Sequence, residues 1–544
     1  MLTRRQLLQS AAGGLVAAGS SNLLAASATR AKPPFRVLYS NDLTNTLTCI
    51  SPWHKPRQPL SRQMLEAAID EVADLGVDVH LLQPGLCNVP LWNSAVYPLA
   101  EHAAWLKQRY GQKLDPFAQF VRDGNDLIQI FIDRCRTRGQ SPFISFRLND
   151  AHHKEFVDAR PGDKVSGLSQ SVTKLYVEHP EWRLGPELGQ ASERVWNWSI
   201  PEVRSHQLAM LRELCTAYDF EGLELDFLRY PSYFDLQKTT VVERKAIMTD
   251  FVRDVRRMLD STGKVGRRRW LCARVPCYLN ALDDIGVDLH PMVEAGLDMV
   301  NASSTYYTTQ RQDLASMRRR AQGASLFFEM CHTTWTGPKV ASGYDASLFR
   351  RTTVEEFQTT AHLAYARGCD GVSTFNFVYY REHGKGDRGP FHEPPFAVLK
   401  YLGDSAWLAN QPQHWFIAKG WRPANSKPTP VPRTVAIDKP ARFVLDLASP
   451  AGGWKNDGRV RIEAELPLGD RRWTAKLNDA ALSPTDDVSE PYAAPYPSLL
   501  GEPSSRRAWS VPVSALRDGM NRLDVTLAEG EPATIVWVDL AVNV

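Results

Sequence analysis

The run Glu221-Gly222-Leu223-Glu224-Leu225-Asp226-Phe227-Leu228-Arg229-Tyr230-Pro231 carries the sharpest chemical signal in the chain. Strand alternation turns Glu224 and Asp226 to one side, and Leu225 and Phe227 to the other. Two carboxylates on one buried face raise each other's proton affinity unless a cation offsets them, and Arg229 stands close by in sequence to do so. A carboxyl poised this way serves a sugar hydrolase as acid or nucleophile. The plain alternative is a structural Asp–Arg pair closing a strand end. A second carboxylate is needed across the cleft, and Ser325-Leu326-Phe327-Phe328-Glu329-Met330-Cys331-His332 offers Glu329.

A third cluster is Phe146-Arg147-Leu148-Asn149-Asp150-Ala151-His152-His153. Asn149, Asp150, His152 and His153 suit contacts to sugar hydroxyls. Asp150, His152 and His153, with help from His80, could instead hold a metal for a hydrolase or deacetylase, but their spacing matches no standard ligand pattern. Arg229, Arg274, Asn301, Asn376 and Tyr379, at other strand ends, are further substrate-binding candidates, and Trp335 could stack on a sugar ring. The expectation is therefore no metal and no nucleotide, flavin or haem cofactor.

These residues need a scaffold that brings strand ends together. Apolar runs at 35–40, 77–83, 142–148, 222–227, 270–275, 297–302, 324–330 and 371–377 read as eight strands. Helical patterns fall between them, as at 61–75, 126–138, 201–218, 242–261 and 353–367. The Ser199-Ile200-Pro201-Glu202 entry suits a helix start. The series predicts a (β/α)8 TIM barrel over residues 32–410. An open doubly wound sheet is disfavoured, because Tyr39-Ser40-Asn41-Asp42-Leu43-Thr44 stands where a Gly-rich phosphate loop would follow the first strand. Two connections, 84–125 and 149–199, are long enough to be functional and contain Trp92, Tyr97, Trp182, Trp196 and Trp198. Residues 411–433 read as a Pro-rich linker. Alternating runs beyond it predict an all-β, jelly-roll-like sandwich over 434–544. The segment from Trp509 to Val525 resembles the end of modules appended to glycosidases. Whether the sandwich binds sugar or supports the barrel is open.

The helix entry Asn197-Trp198-Ser199-Ile200-Pro201-Glu202-Val203-Arg204, followed by the Glu221–Pro231 run, resembles the family-10-like glycoside hydrolase barrels of bacteria. Residues 284–300 resemble their segment entering strand 6. The resemblance covers about residues 35–400, with Glu221 standing where an Asp is common. It implies a glycosidase barrel. By similarity to barrel glycosidases with sites on strands 4 and 7, Asp226 is the acid/base and Glu329 its partner, with Glu224 as the stand-in for either.

The 544 residues hold 64 Lys and Arg against 61 Asp and Glu, a net charge of +3 that argues against nucleic acid as the main partner. With 43 % hydrophobic and 23 % charged residues, a disordered or fibrous chain is excluded. Thr3-Arg4-Arg5-Gln6-Leu7-Leu8, a short Ala/Gly/Leu run and Ala26-Ser27-Ala28 read as a twin-arginine export signal over residues 1–31. The expected compartment is the periplasm or cell exterior, with no stable membrane insertion. None of the eight Cys forms a CxxC pair, which argues against a zinc ribbon. The expectation is an exported glycoside hydrolase acting on an oligo- or polysaccharide. The alternatives are the metal-dependent hydrolase above, or a non-catalytic carbohydrate-binding envelope protein.

Overall fold

Eight short parallel strands close into a barrel, each paired with its neighbours in chain order. They are β1 (Val37–Ser40), β2 (Val79–Leu82), β3 (Ser141–Arg147), β4 (Gly222–Asp226), β5 (Trp270–Pro276), β6 (Met299–Ser303), β7 (Ser325–Cys331) and β8 (Gly371–Phe375). The β1–β8 and β1–β2 pairings close the ring. A computed structural model describes residues 32–49, 51–53, 58–86, 88–160, 162–165, 167–185, 194–335, 349–381, 393–419, 429–493 and 501–543. The leader expected at 1–31 and residues 420–428 of the Pro-rich stretch lie outside these residues.

Amphipathic helices return the chain between strands, among them α1 (Arg62–Asp70), α2 (Leu127–Thr137), α3 (Pro201–Ala217), α4 (Val241–Thr262) and α5 (Val354–Ala366). Each apolar face packs on the outward side chains of the strands, Leu223, Leu225, Val300 and Phe328 included. Two of these helices start with a full capping box, Thr240 with Glu243 and Thr353 with Glu356. α3 starts instead with Pro201 in its first turn, the expected use of a residue that lacks an N–H.

The barrel interior is layered. At the bottom Leu38, Val79, Leu81, Phe143, Cys272, Met299 and Phe327 form an apolar plug. Gly222 makes it possible, because a Cβ there would lie 2.2 Å from the Phe143 ring. Two residues further along β3 and β4 the inward side chains turn polar, with Ser145 beside Glu224. Another two residues on they are charged, with Arg147 registered to Asp226 and Asp226 to Arg274.

Beyond the barrel lie two antiparallel sheets. One joins β9 (Gln413–Ile417), β10 (Arg433–Val435), β12 (Gly458–Ala464), β15 (Ser483–Thr485), β16 (Arg506–Val511) and β18 (Ala533–Val542). The other joins β11 (Ala441–Leu447), β13 (Arg472–Leu477), β14 (Ala480–Ala481) and β17 (Gly519–Glu529). β9 corrects the sequence reading. Residues 413–417 were expected in a linker, yet they pair antiparallel with β18. The run Gln-His-Trp-Phe-Ile buries every side chain, and its backbone is docked on the barrel: His414 N–H donates to Thr359 on α5 at 2.7 Å. Trp415, Trp473, Trp509 and Trp537 are buried, and Trp454 is half-buried with its N–H donated to Gln413. The described sandwich tryptophans are therefore core and fixing groups, not platforms on its surface.

The seven described cysteines are buried free thiols. Among the described residues no helix is long and apolar enough to cross a membrane.

Candidate active site

Glu224, Asp226 and Glu329 all face into the barrel, but they form its polar floor. Arg274 from β5 lies between two of them. Its Nη1 reaches both Asp226 oxygens at 3.2 and 3.1 Å, and its Nη2 and Nε reach Glu329 at 2.6 to 3.0 Å. Asp226 is 0 % exposed and Glu329 2 %. Leu228 N–H completes Asp226, and Ser303 and Asn301 complete Glu329. The guanidinium also stacks over the Phe375 ring at 4.3 Å. This corrects the expectation of two carboxylates facing a substrate across a cleft: a cation from the neighbouring strand locks both beneath it.

Glu224 lies one layer deeper and accepts hydrogen bonds from Ser145 at 2.7 Å and Asn301 at 3.1 Å. Burial, opposed by Arg274 and reinforced by Asp226 and Glu329, pushes its carboxyl up to about 7. The folded state therefore holds a proton that the unfolded chain, with an ordinary value of 4.5, gives up. Stability should fall as pH rises from about 4.5 to 7, by roughly 3 kcal/mol over the whole window. Glu224→Gln is accordingly expected to match the wild type at pH 4 and to exceed its stability at pH 8 by about 2 to 3 kcal/mol. Urea unfolding at both pH values would show this. A variant less stable at pH 8 would mean that Glu224 is ionised and well compensated.

Above this floor opens a cleft of about 560 Å³ at the C-terminal ends of the strands, the face on which barrel enzymes carry their sites. Its polar wall comes from Asp42 after β1, Gln83 after β2, Arg147 at the end of β3, His152 beyond it, Arg229 after β4, Tyr306 after β6 and Tyr379 after β8. Its apolar lining includes Leu43, Leu47, Val89, Leu91 and Phe117.

Asp42 is the ionised carboxylate of this wall. It pairs with Arg147, accepts from Asn376 Nδ2 at 3.0 Å and lies 3.4 Å from the Tyr379 hydroxyl. Burial alone would raise its carboxyl, but Arg147, then Arg229 and Asn376, override burial and hold it at about 2. Arg147 is fixed in turn by Asp150 at 2.7 Å and Gln83 at 2.8 Å. Asp115, from the long β2–β3 connection, lines the same cleft. Its Oδ1 caps the helix Pro116–Arg122 through Phe117 and Ala118 N–H. Burial nevertheless raises its carboxyl, against those two N–H groups. The cleft thus holds two carboxyls with shifts in opposite directions.

Of the residues expected to touch substrate, His152, Arg229 and Tyr379 line the cleft. Asp150 lies just behind it, bonded to His152 and Arg147. Asn376, at φ 53°, positions Asp42 by accepting its backbone N–H at 2.7 Å. Three of these residues do other work. Asn149 pins the Trp196 and Ser232 backbones. Asn301 bridges Glu224 and Glu329, and Arg274 closes the floor. His153 turns away into a pocket against Tyr176, 4.4 Å between centroids, and burial pushes its ring down to about 3. His80 packs between Tyr39 and Phe131. Asp150, His152, His153 and His80 therefore do not converge, and among the described residues no group of His, Cys, Asp or Glu is placed to hold a metal. The Trp335 side chain lies outside the described residues. Trp92, Trp196 and Trp198 are buried in the main core of the barrel, Trp198 against Phe251 of α4 and Tyr233.

Sequence reading missed Asp42, Gln83, Arg147, Tyr306 and Asp115. The first three sit at or just beyond C-terminal strand ends, and that position was the available signal.

The chain is a (β/α)8 barrel carrying an antiparallel sandwich. No protein-family model matches it, and no curated protein does. Among solved structures, it is similar to a bacterial fucosidase with a bound inhibitor at 12 % identity and a TM-score of 0.36, over 91 % of this chain and 93 % of that one. It is similar to the PgaB glycoside hydrolase domain from Bordetella bronchiseptica at 12 % identity and a TM-score of 0.38, over 64 % and 95 % of the two chains. Alpha-L-fucosidase isoenzyme 2 from Paenibacillus thiaminolyticus gives 11 % identity and 0.39, over 71 % and 51 %.

Proposed function

We propose that this protein is a glycoside hydrolase that cleaves the O-glycosidic bonds of an oligo- or polysaccharide held in the barrel cleft. The observation that carries the reading is the pair of cleft-lining carboxyls with opposed proton affinities, Asp42 held down and Asp115 raised. Environments that push two carboxyls apart assign one as base or nucleophile and the other as acid. Asp115 gives its proton to the leaving glycosidic oxygen as the bond to the anomeric carbon breaks. Asp42 meets the positive charge that develops on the sugar. Water then supplies the new hydroxyl, and its proton restores the acid. A lining that mixes hydrogen-bonding and apolar side chains suits a ligand with hydroxyl edges and C–H faces. In this reading Asp226, Glu329 and Arg274 brace the floor. We also propose export: residues 1–31, with the features of a twin-arginine signal, would carry the enzyme out of the cytoplasm.

The test is reducing-sugar release over a panel of bacterial, algal and plant polysaccharides, with thermal melts of each variant. Release by the wild type that is lost in folded Asp42→Asn and Asp115→Asn is the expected result. Release untouched in both, but lost in folded Asp226→Asn and Glu329→Gln, would return the chemistry to the floor. A wild type that releases nothing from the whole panel counts against the reading.

A further inference from the structure

We infer that the cleft takes a saccharide bearing an oxyanion, a uronate carboxylate or a sulfate ester, and that Arg229 receives that group. The inference rests on the cleft being a saccharide site and names the class of saccharide.

Three buried arginines crown the barrel, and their partners differ. Arg274 is shared by Asp226 and Glu329. Arg147 is shared by Asp42 and Asp150. Arg229 is equally enclosed and lines the cleft, yet among the described residues it makes no ion pair. Its Nη1 donates to the Tyr306 hydroxyl, and its Nη2 lies 2.6 Å from His152 Nε2. His152 bonds Asp150 through Nδ1, and since a guanidinium only donates, Nε2 accepts from Arg229. Arg229 Nε is buried without a partner.

A guanidinium taken out of water with neutral partners only is costly unless an anion completes it. Asp42 and Asp150 lie near enough to favour its charge, but both close on Arg147, so neither makes an ion-pair contact with Arg229. Asp42 also does not exclude an anion from the cleft, because Arg147 neutralises it at contact. A planar carboxylate or a sulfate arriving through the cleft meets a rigid fork already oriented by Tyr306, over whose ring it sits at 4.9 Å. Neutral hydroxyls would leave the guanidinium without a contacting anion, so an acidic saccharide should be preferred.

The experiment is titration calorimetry on the full chain with three probe sets. The first is oligogalacturonate, oligoglucuronate and alginate oligosaccharides. The second is their carboxyl-reduced counterparts. The third is sulfated galactose oligosaccharides beside desulfated ones. One acidic probe is expected to bind roughly 10- to 100-fold more tightly than its neutral counterpart, the range for a hydrogen bond to a charged group. Arg229→Gln should erase that ratio, and Arg229→Lys should keep part of it. Whether the uronate or the sulfate arm responds identifies the oxyanion. Acidic probes that bind no better than neutral ones, or an undiminished ratio in folded Arg229→Gln, overturn the inference. Should Arg229→Gln fail to fold, the wild-type ratio and its decline with added salt decide. Acid-selective binding without bond cleavage would remove the hydrolase reading and leave this one. Cleavage confined to neutral saccharides would do the reverse.

Discussion

Arg274→Met is expected to destabilise the protein by about 3 to 5 kcal/mol, the cost of removing one partner from a buried ion pair. The geometry makes the case severe. One guanidinium serves two carboxylates, both enclosed, at distances from 2.6 to 3.2 Å. Removing it leaves Asp226 and Glu329 facing each other across the site of the lost cation. Glu224 lies below, its own carboxyl already raised by burial and then by the same two neighbours. The variant would answer by taking up protons, so its stability should recover as pH falls toward 4. Combining Arg274→Met with Asp226→Asn and Glu329→Gln should restore most of the loss at pH 7, because the floor then carries no unpaired charge. Urea unfolding of the single and triple variants at pH 4 and pH 7 checks this. A loss below about 1 kcal/mol for the single variant would mean that the three groups are not the ionised cluster their contacts imply.

How much of this was legible in the sequence follows from how local each feature is. The eight barrel strands were readable because each is a short apolar run beside an amphipathic one. The inward turn of Glu224 and Asp226 was readable because alternation is a property of a single strand. The partner of Asp226 was not. Arg229, three residues on, was the local guess, but β4–β5 register sets Arg274 against Asp226 and frees Arg229 for the cleft. Adjacent His152 and His153 looked alike in sequence. They separate because one faces the cleft and the other the Tyr176 core. The tryptophans of the long loops suggested sugar platforms, but long loops must be anchored to the barrel, and Trp92, Trp196 and Trp198 are buried in its main core. β9 was hidden because a five-residue strand beside a Pro-rich stretch has too few residues to show its period. Its identity comes from β18 and α5, which are distant in sequence.

Asp42→Asn should lower kcat by about 10³-fold while leaving the protein folded. The fold should survive because Arg147 keeps Asp150 at 2.7 Å and Gln83 at 2.8 Å, so no buried cation is orphaned. The isosteric amide also keeps an oxygen for Asn376. What is lost is negative charge at the one carboxylate of the polar wall held ionised against burial. Two pH profiles test that assignment. The Asp42 carboxyl is depressed from 3.8 to about 2, so its stabilising effect is complete above about pH 4 and disappears as pH falls toward 2. The wild type should therefore lose roughly 2 kcal/mol over that interval that Asp42→Asn does not lose. In activity, the acid limb of kcat/KM should lie below the ordinary carboxylate range. The alkaline limb should follow the raised Asp115 and vanish in Asp115→Asn. If folded Asp42→Asn retains wild-type kcat and its acid unfolding curve is unchanged, Asp42 is neither the charged partner of Arg147 nor the group that meets the sugar. Such a result would move the chemistry to another wall of the cleft.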